Sequence, residues 1–169
     1  TLSIQDKTFV LNRLIKVEEQ PLSTFKKKRN GTVVIKAVEF GAQYKVRINS
    51  TDCIIKTADA SSDEGADVNV DSILDDLKSK IESKSLPVTV TKLDITLELE
   101  STNDTEFSLT GSGGRNNLSL VTFQDFVQDT SEIPNTSIEG RTVKVENSAN
   151  EDDDYYLRYD SDDEKWIET

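Results

Sequence analysis

The chain has 169 residues, 32 acidic against 20 basic, and a formal net charge of −12. That surplus argues against phosphate neutralisation on nucleic acid and against attraction to an anionic membrane, both of which need clustered Lys and Arg. It contains no histidine and a single cysteine, so Ser-His-Asp catalysis, histidine metal sites and an intrachain disulfide are excluded.

A domain of this length buries roughly 70% of its unfolded surface and needs no metal or disulfide staple. No apolar run approaches the ~20 residues of a membrane span. The sequence starts at Thr1 and has no methionine, so it reads as a fragment or a processed product.

In chain order, Thr8–Leu11 reads as a short strand that Ile15 and Val17 extend. Residues 18–32 turn polar, with Pro21, the basic run Lys26–Arg29, and Asn30-Gly31 as the turn before the next strand. The basic run is read as a solvated loop tip, against import signal, phosphate patch or contact with a neighbour's acidic loop. Val33–Val38 is a near-continuous apolar strand, Tyr44–Ile48 alternates apolar and basic, and Cys53–Thr57 pairs back across Asn49–Asp52. Together the three are expected to form an antiparallel meander. Cys53 reads as a small buried strand residue.

After an acidic loop at 58–65, Val70, Ile73, Leu74, Leu77 and Ile81 form one apolar stripe of a helix spanning about 68–84. Asp67 or Asn69 caps it, Lys78, Lys80 and Lys84 suit its C-terminal end, and Pro87 ends it. Val88 and Val90 open a strand region. Leu93, Ile95, Leu97 and Leu99 then alternate with polar residues as one strand. Ser101–Asp104 turns it, and Glu106–Thr110 returns with Phe107 and Leu109 inward. Gly111–Gly114 reads as a loop without the spacing or lysine of a phosphate cradle. Asn117–Thr122 is a strand, and 122–127 and 129–134 are short helices or turns at a junction. Val143 and Val145 mark a strand, 147–153 a loop, Tyr155–Tyr159 the returning strand, 160–164 a turn and Lys165–Glu168 the last strand.

Residues 147–169 hold nine carboxylates and two cations, Arg158 and Lys165. Asp160–Glu164 starts like a calcium loop but has Lys165 where the glycine belongs, so two solvated hairpin turns are preferred. Paired carboxylates for glycoside hydrolysis are uninformative where acidic residues are this dense. Tyr155, Tyr156, Tyr159 and Trp166 read as cross-strand packing against a sugar-stacking platform. No nucleophile–base pair, metal-ligand spacing or cofactor loop emerges. The expectation is therefore no catalytic, cofactor-binding or metal residue, no cofactor, and no enzyme.

The order Thr8-Phe-Val-Leu-Asn12, Ser131-Glu-Ile-Pro134, Gly140-Arg-Thr-Val-Lys-Val-Glu146, Asp153-Asp-Tyr-Tyr-Leu-Arg-Tyr159 and Trp166-Ile-Glu-Thr169 resembles the tail nozzle (tail tubular protein B) family of short-tailed bacteriophages. The likeness is good over 6–12 and 131–169; between them it is an order of elements. Ile167 stands where the family pattern suggests a basic residue. The resemblance implies a non-enzymatic virion component in the phage tail, a wall domain of a hexameric tube through which DNA leaves. It implies as partners other copies in a tail ring, adaptor and fibre proteins, and DNA only in passage, with no membrane insertion by this fragment. The fold expected is α+β: mainly antiparallel sheet with one packed amphipathic helix, plus a small C-terminal antiparallel piece. Residues 1–122 form the β-rich part with the helix, and 123–169 the smaller piece. The rival readings are a carbohydrate-active tail protein, marked by acidic pairs in a cleft beside the tyrosines, and a host-surface-binding module. A calcium-stabilised β-domain is the third.

Overall fold

The computed structural model describes residues 2–4 and 7–9 (backbone only), 29–61, 68–114, 117–146, 149 and 153–169. Strands β1 (Leu2–Ile4) and β2 (Lys7–Phe9) pair antiparallel as a separate ribbon. The expected strand at Thr8–Leu11 thus falls partly on β2. Ile15, Val17, Pro21 and residues 26–28 lie outside the described residues.

Strand β3 (Asn30–Ile35) is buried on both faces from Thr32 to Ile35. A strand covered on both sides reads as a continuous apolar run, and its place is the interior of a sheet. It sits between β7 (Thr96–Ser101) and β9 (Leu120–Phe123), with β6 (Val88–Leu93) outside β7. The strand starts earlier than expected. Asn30 pairs with Glu100 and Gly31 with Leu99, so Asn30-Gly31 is ladder, not turn. A Cβ on Gly31 would lie 2.6 Å from Leu109 Cδ2, so the glycine is there for close approach.

Strands β4 (Gln43–Ile48) and β5 (Thr51–Lys56) form the expected hairpin, turned at Asn49-Ser50 with Asn49 at φ 53°. The other neighbour of β4 is β8 (Leu109–Gly113), giving a second sheet ordered β5-β4-β8. The meander of Val33–Val38 with the next two strands is therefore corrected. Both edges of β3 are already taken by β7 and β9, and residues 36–42 carry the chain to the other sheet. Cys53 is fully buried as expected, and burial pushes its thiol pKa up.

Helix α1 (Val70–Glu82) buries Ile73, Leu74, Leu77 and Ile81 against β5 and β6. Asn69 caps it: its side chain accepts from Ser72 N at 2.8 Å, while the Asn69 N–H donates to Ser72 Oγ at 3.3 Å. The helix stops short of Pro87, at a cap on Ser83, followed by Ser85 at φ 50°. Its apolar stripe joins Val33, Tyr44, Val46, Ile48, Leu97 and Leu99 in one core between the two sheets.

The alternating run from Leu93 to Leu99 is not one strand. A two-residue turn at Asp94-Ile95, with Asp94 at φ 46°, folds it into the β6–β7 hairpin with Leu93 opposite Thr96. A two-residue turn keeps the apolar alternation in sequence while moving Leu93 to the face opposite Leu97, so the pattern conceals it. The next segment also departs from expectation. Phe107 and Leu109 are buried as read, but β8 pairs with β4 and not with β7. Gly111–Gly113 is strand, not loop. A Cβ on Gly111 would sit 2.5 Å from Leu120 Cδ2, and one on Gly113 2.6 Å from Leu120 Cβ. These glycines let β8 press against β9.

At the C-terminal end, residues 122–127 are strand, bend and strand, not a short helix, and β10 is Phe126–Val127. Asp129 caps a 3-10 turn at Thr130–Glu132, as its sequence suggests. Strands β11 (Thr142–Val145), β12 (Tyr155–Asp160) and β13 (Lys165–Glu168) then complete a sheet ordered β10-β11-β12-β13. Its β11–β12 and β12–β13 pairs are antiparallel, whereas β10 runs parallel to β11. Val127, Val143 and Val145 form its core with Phe123, Ile133, Tyr155, Leu157 and Trp166. The architecture is α+β, mainly antiparallel.

Candidate functional site

Strand alternation decides what the Tyr155–Trp166 block does. Tyr155, Leu157 and Tyr159 share one face of β12, while Tyr156 and Arg158 share the other. Tyr159 is 3% exposed and stands directly opposite Trp166. Their rings meet edge-to-face at 5.3 Å, and Trp166 Nε1 donates to the Pro134 carbonyl at 2.9 Å. The three tyrosines therefore occupy two faces, and the aromatic pair is a packing contact, with Tyr159 buried and Trp166 half-buried. No continuous stacking platform results.

The acidic turn is built the same way. The Asp160 carboxylate accepts from the backbone N–H of Asp162 at 3.0 Å and of Asp163 at 3.1 Å, holding the turn with Glu164 at φ 52°. Glu139 ties it down, accepting from Arg158 at 2.7 Å and from Ser161 N at 2.8 Å. These bonds hold the Glu139 carboxyl below its usual range, the Ser161 contacts most. Among the described residues no three metal-ligating side chains gather. The loop 147–153 lies almost wholly outside the described residues.

The most unusual chemistry lies where the sequence pointed to nothing. Glu98 of β7, Asp125 in the bend before β10, and Arg141 at the head of β11 are each at most 3% exposed. Thr32 Oγ1 donates to Glu98 Oε2 at 2.8 Å, and Ser137 Oγ donates to Glu98 Oε1 at 2.9 Å. Arg141 Nε lies 3.6 Å from Glu98, and its Nη1 3.5 Å from Asp125. Nη1 also donates to the Thr142 carbonyl and Nη2 to that of Gln124, both at 3.1 Å, while the buried Nε makes no hydrogen bond among the described residues. The cluster thus ties the four-stranded sheet of β3 and β7 to the C-terminal sheet.

Burial pushes the Glu98 carboxyl up, opposed by Arg141, Thr32 and Ser137. Burial likewise pulls Arg141 down, opposed by Glu98 and Asp125. In both partners desolvation outweighs attraction, as for a pair of charges taken deep out of water. A carboxyl this deeply enclosed cannot meet a substrate. Glu98 occupies a polar phase of an alternating run, which ordinarily marks the wet face. Arg141, next to a Val-Lys-Val strand, carries no signal of burial.

Open concavities occur among the described residues. One of about 350 Å³ is lined by Gln128, Asp129, Thr130, Val145, Glu146, Asp153 and Tyr155. This places carboxylates beside a tyrosine, the arrangement a carbohydrate-active reading needs. Ser131 N donates to Asp129 at 2.7 Å and lowers that carboxyl, the wrong direction for a general acid. Glu146 pairs with Lys144 at 3.3 Å. An apolar groove of about 330 Å³ runs beside Phe123, Phe126 and Val127.

With that geometry in hand, comparison with known proteins yields one family: the model described as bacteriophage nozzle protein matches residues 1–169, the whole chain. No curated protein matches the chain.

Proposed function

We infer the role of this domain from one premise: the chain belongs to the bacteriophage nozzle protein family and is a structural component of the virion tail. We propose that it forms part of the wall of the tail tube through which DNA is ejected. Copies stand side by side in a ring, six to a turn, beneath the adaptor and beside the fibres. The observation that carries the reading is the family match over the full chain. The physical chemistry agrees with it. A wall needs stiff sheets and no reactive centre, and the net charge of −12 keeps a passing polyanion from adhering. Residues 1–122 and 123–169 serve, in this proposal, as two pieces of one wall element locked through Arg141.

The test is a bulky tag inserted in the exposed turn at 102–104 of the protein in assembled particles, imaged by electron microscopy. Six densities around the tail axis near its tip are expected. A different multiplicity, or density away from the tail, sinks the reading.

The cleft beside Tyr155 supports one second reading, hydrolysis of host polysaccharide by Glu146 with Asp153. Incubating the chain with host capsule and assaying reducing ends decides it. No release is expected; release abolished by Glu146→Gln would establish the enzyme.

A further inference from the structure

One surface of this acidic chain has the opposite sign. The side chains of Gln43, Lys45 and Arg47 alternate onto the outer face of β4, away from buried Tyr44, Val46 and Ile48. Register sets Lys45 beside Ser112 and Arg47 beside Thr110 of β8, and Gln43 beside Lys56 of β5. Lys45, Arg47, Thr110, Gly111 and Ser112 line a depression of about 190 Å³. Lys45 and Arg47 share a single carboxylate, Asp52, at 2.9 and 2.6 Å. With exposed Lys56, this face presents three cations against one carboxylate, and hydroxyls that can donate to an anion.

We propose that the outer face of β4 and β8 receives the acidic β12–β13 turn of a neighbouring copy of this chain. Two copies each carrying −12 repel at long range, so contact forms where signs oppose. The turn holds Asp160, Asp162, Asp163 and Glu164 against Lys165 alone. Asp160 is committed to its own backbone and Asp163 pairs with Lys165 at 2.8 Å. Asp162 and Glu164 are exposed. A contact between two different patches is heterologous, the kind that closes into a ring. Duplex DNA is the weaker candidate for this face, because the rest of the chain repels phosphate. The proposal rests on the reading that copies assemble side by side in the tail.

The test uses residues 1–169 and two charge-reversed variants, Lys45→Glu/Arg47→Glu and Asp162→Lys/Glu164→Lys. Thermal melting first establishes that each folds, with Lys45→Gln/Arg47→Gln as the milder alternative. Sedimentation at low salt is expected to show self-association that either reversal weakens about tenfold. Added salt weakens it too, and mixing the two reversed variants restores it. Carbodiimide coupling of isotopically mixed copies is expected to join Lys45 of one to residues 160–164 of another. Self-association indifferent to these substitutions overturns this surface but leaves the tail-wall reading intact, since tagged particles test that separately. No self-association, coupling only within one copy, or a Lys45/Arg47-dependent complex with a duplex oligonucleotide in place of self-association also overturns it.

Discussion

Replacing Arg141 with methionine is the sharpest test of the buried joint. The substitution keeps most of the side-chain volume and removes the one charge that Glu98 and Asp125 both face. Those carboxylates are 3% and 2% exposed, so water cannot take the place of the lost cation. Breaking a buried pair by removing one partner costs about 3–5 kcal/mol, because a buried charge is left uncompensated. For a chain of this size that is a fall in Tm of about 6–20 °C. An exposed pair gives the control. Arg29 and Asp104 meet at 2.8 Å with side chains 36% and 57% exposed, and Arg29→Ala is expected to cost at most about 1 kcal/mol.

The loss carries a pH signature. The folded-state pKa of Glu98 is already raised, chiefly by burial, and losing Arg141 raises it further. A group raised on folding contributes stability that is fully present below its unfolded value and lost as pH rises through its folded value. The deficit of Arg141→Met is therefore largest at pH 7 and shrinks toward pH 4.5, the ordinary glutamate value. Adding Glu98→Gln recovers part of it at pH 7 by neutralising one stranded charge. Chemical denaturation at the two pH values reads all of this. A deficit under about 1 kcal/mol at pH 7, or one equal at both pH values, would falsify the claim that burial makes this cluster a joint.

Three further outcomes are expected. Gly113→Ala places a Cβ 2.6 Å from Leu120 Cβ and 2.7 Å from Tyr44 Cδ1, and calorimetry is expected to show about 1–3 kcal/mol lost to overpacking. Asn69→Ala removes the side-chain acceptor of the cap on α1, leaving the backbone N–H bond to Ser72 Oγ, and is expected to cost about 1 kcal/mol in urea unfolding, with Asn69→Asp nearly neutral. Asp52, bonded by Arg47 and Lys45, is lowered from 3.8 to about 2, so a carbon-detected NMR titration finds it ionised where ordinary aspartates have protonated. Its stabilising contribution is present above 3.8 and is lost as pH falls through about 2.

What the sequence shows and what it hides divide along local and non-local physics. The α1 stripe is legible because the helical period needs only its own residues, and Ile73, Leu74, Leu77 and Ile81 are all buried. The β12–β13 hairpin is legible for the same reason: an aromatic-rich run, a turn of Asp and Ser, and a second run. Strand partners are not. Nothing near Val33 says that its neighbours are Leu97 and Thr122, because sheet pairing joins distant residues. Gly111 and Gly113 look like loop until Leu120 is known to lie against them. Glu98 looks solvent-facing until the C-terminal segment covers it.

That covering connects the joint to the assembly. Glu98 belongs to the sheet built around β3, and Arg141 and Ser137 arrive from the C-terminal segment. Apolar residues there would bury area in many registers, whereas hydrogen bonds to both Glu98 oxygens and from Arg141 to the Gln124 and Thr142 carbonyls admit few. Fixing that register fixes where β12–β13 projects relative to the cationic face of β4 and β8. The proposed ring requires this constancy, since a head-to-tail contact closes into a ring only when every copy holds the same angle between its two surfaces. Arg141→Met is therefore expected to weaken the self-association proposed for Lys45 and Arg47, even at temperatures where the variant remains folded. If self-association survives in folded Arg141→Met, the joint sets stability alone and not the geometry of assembly.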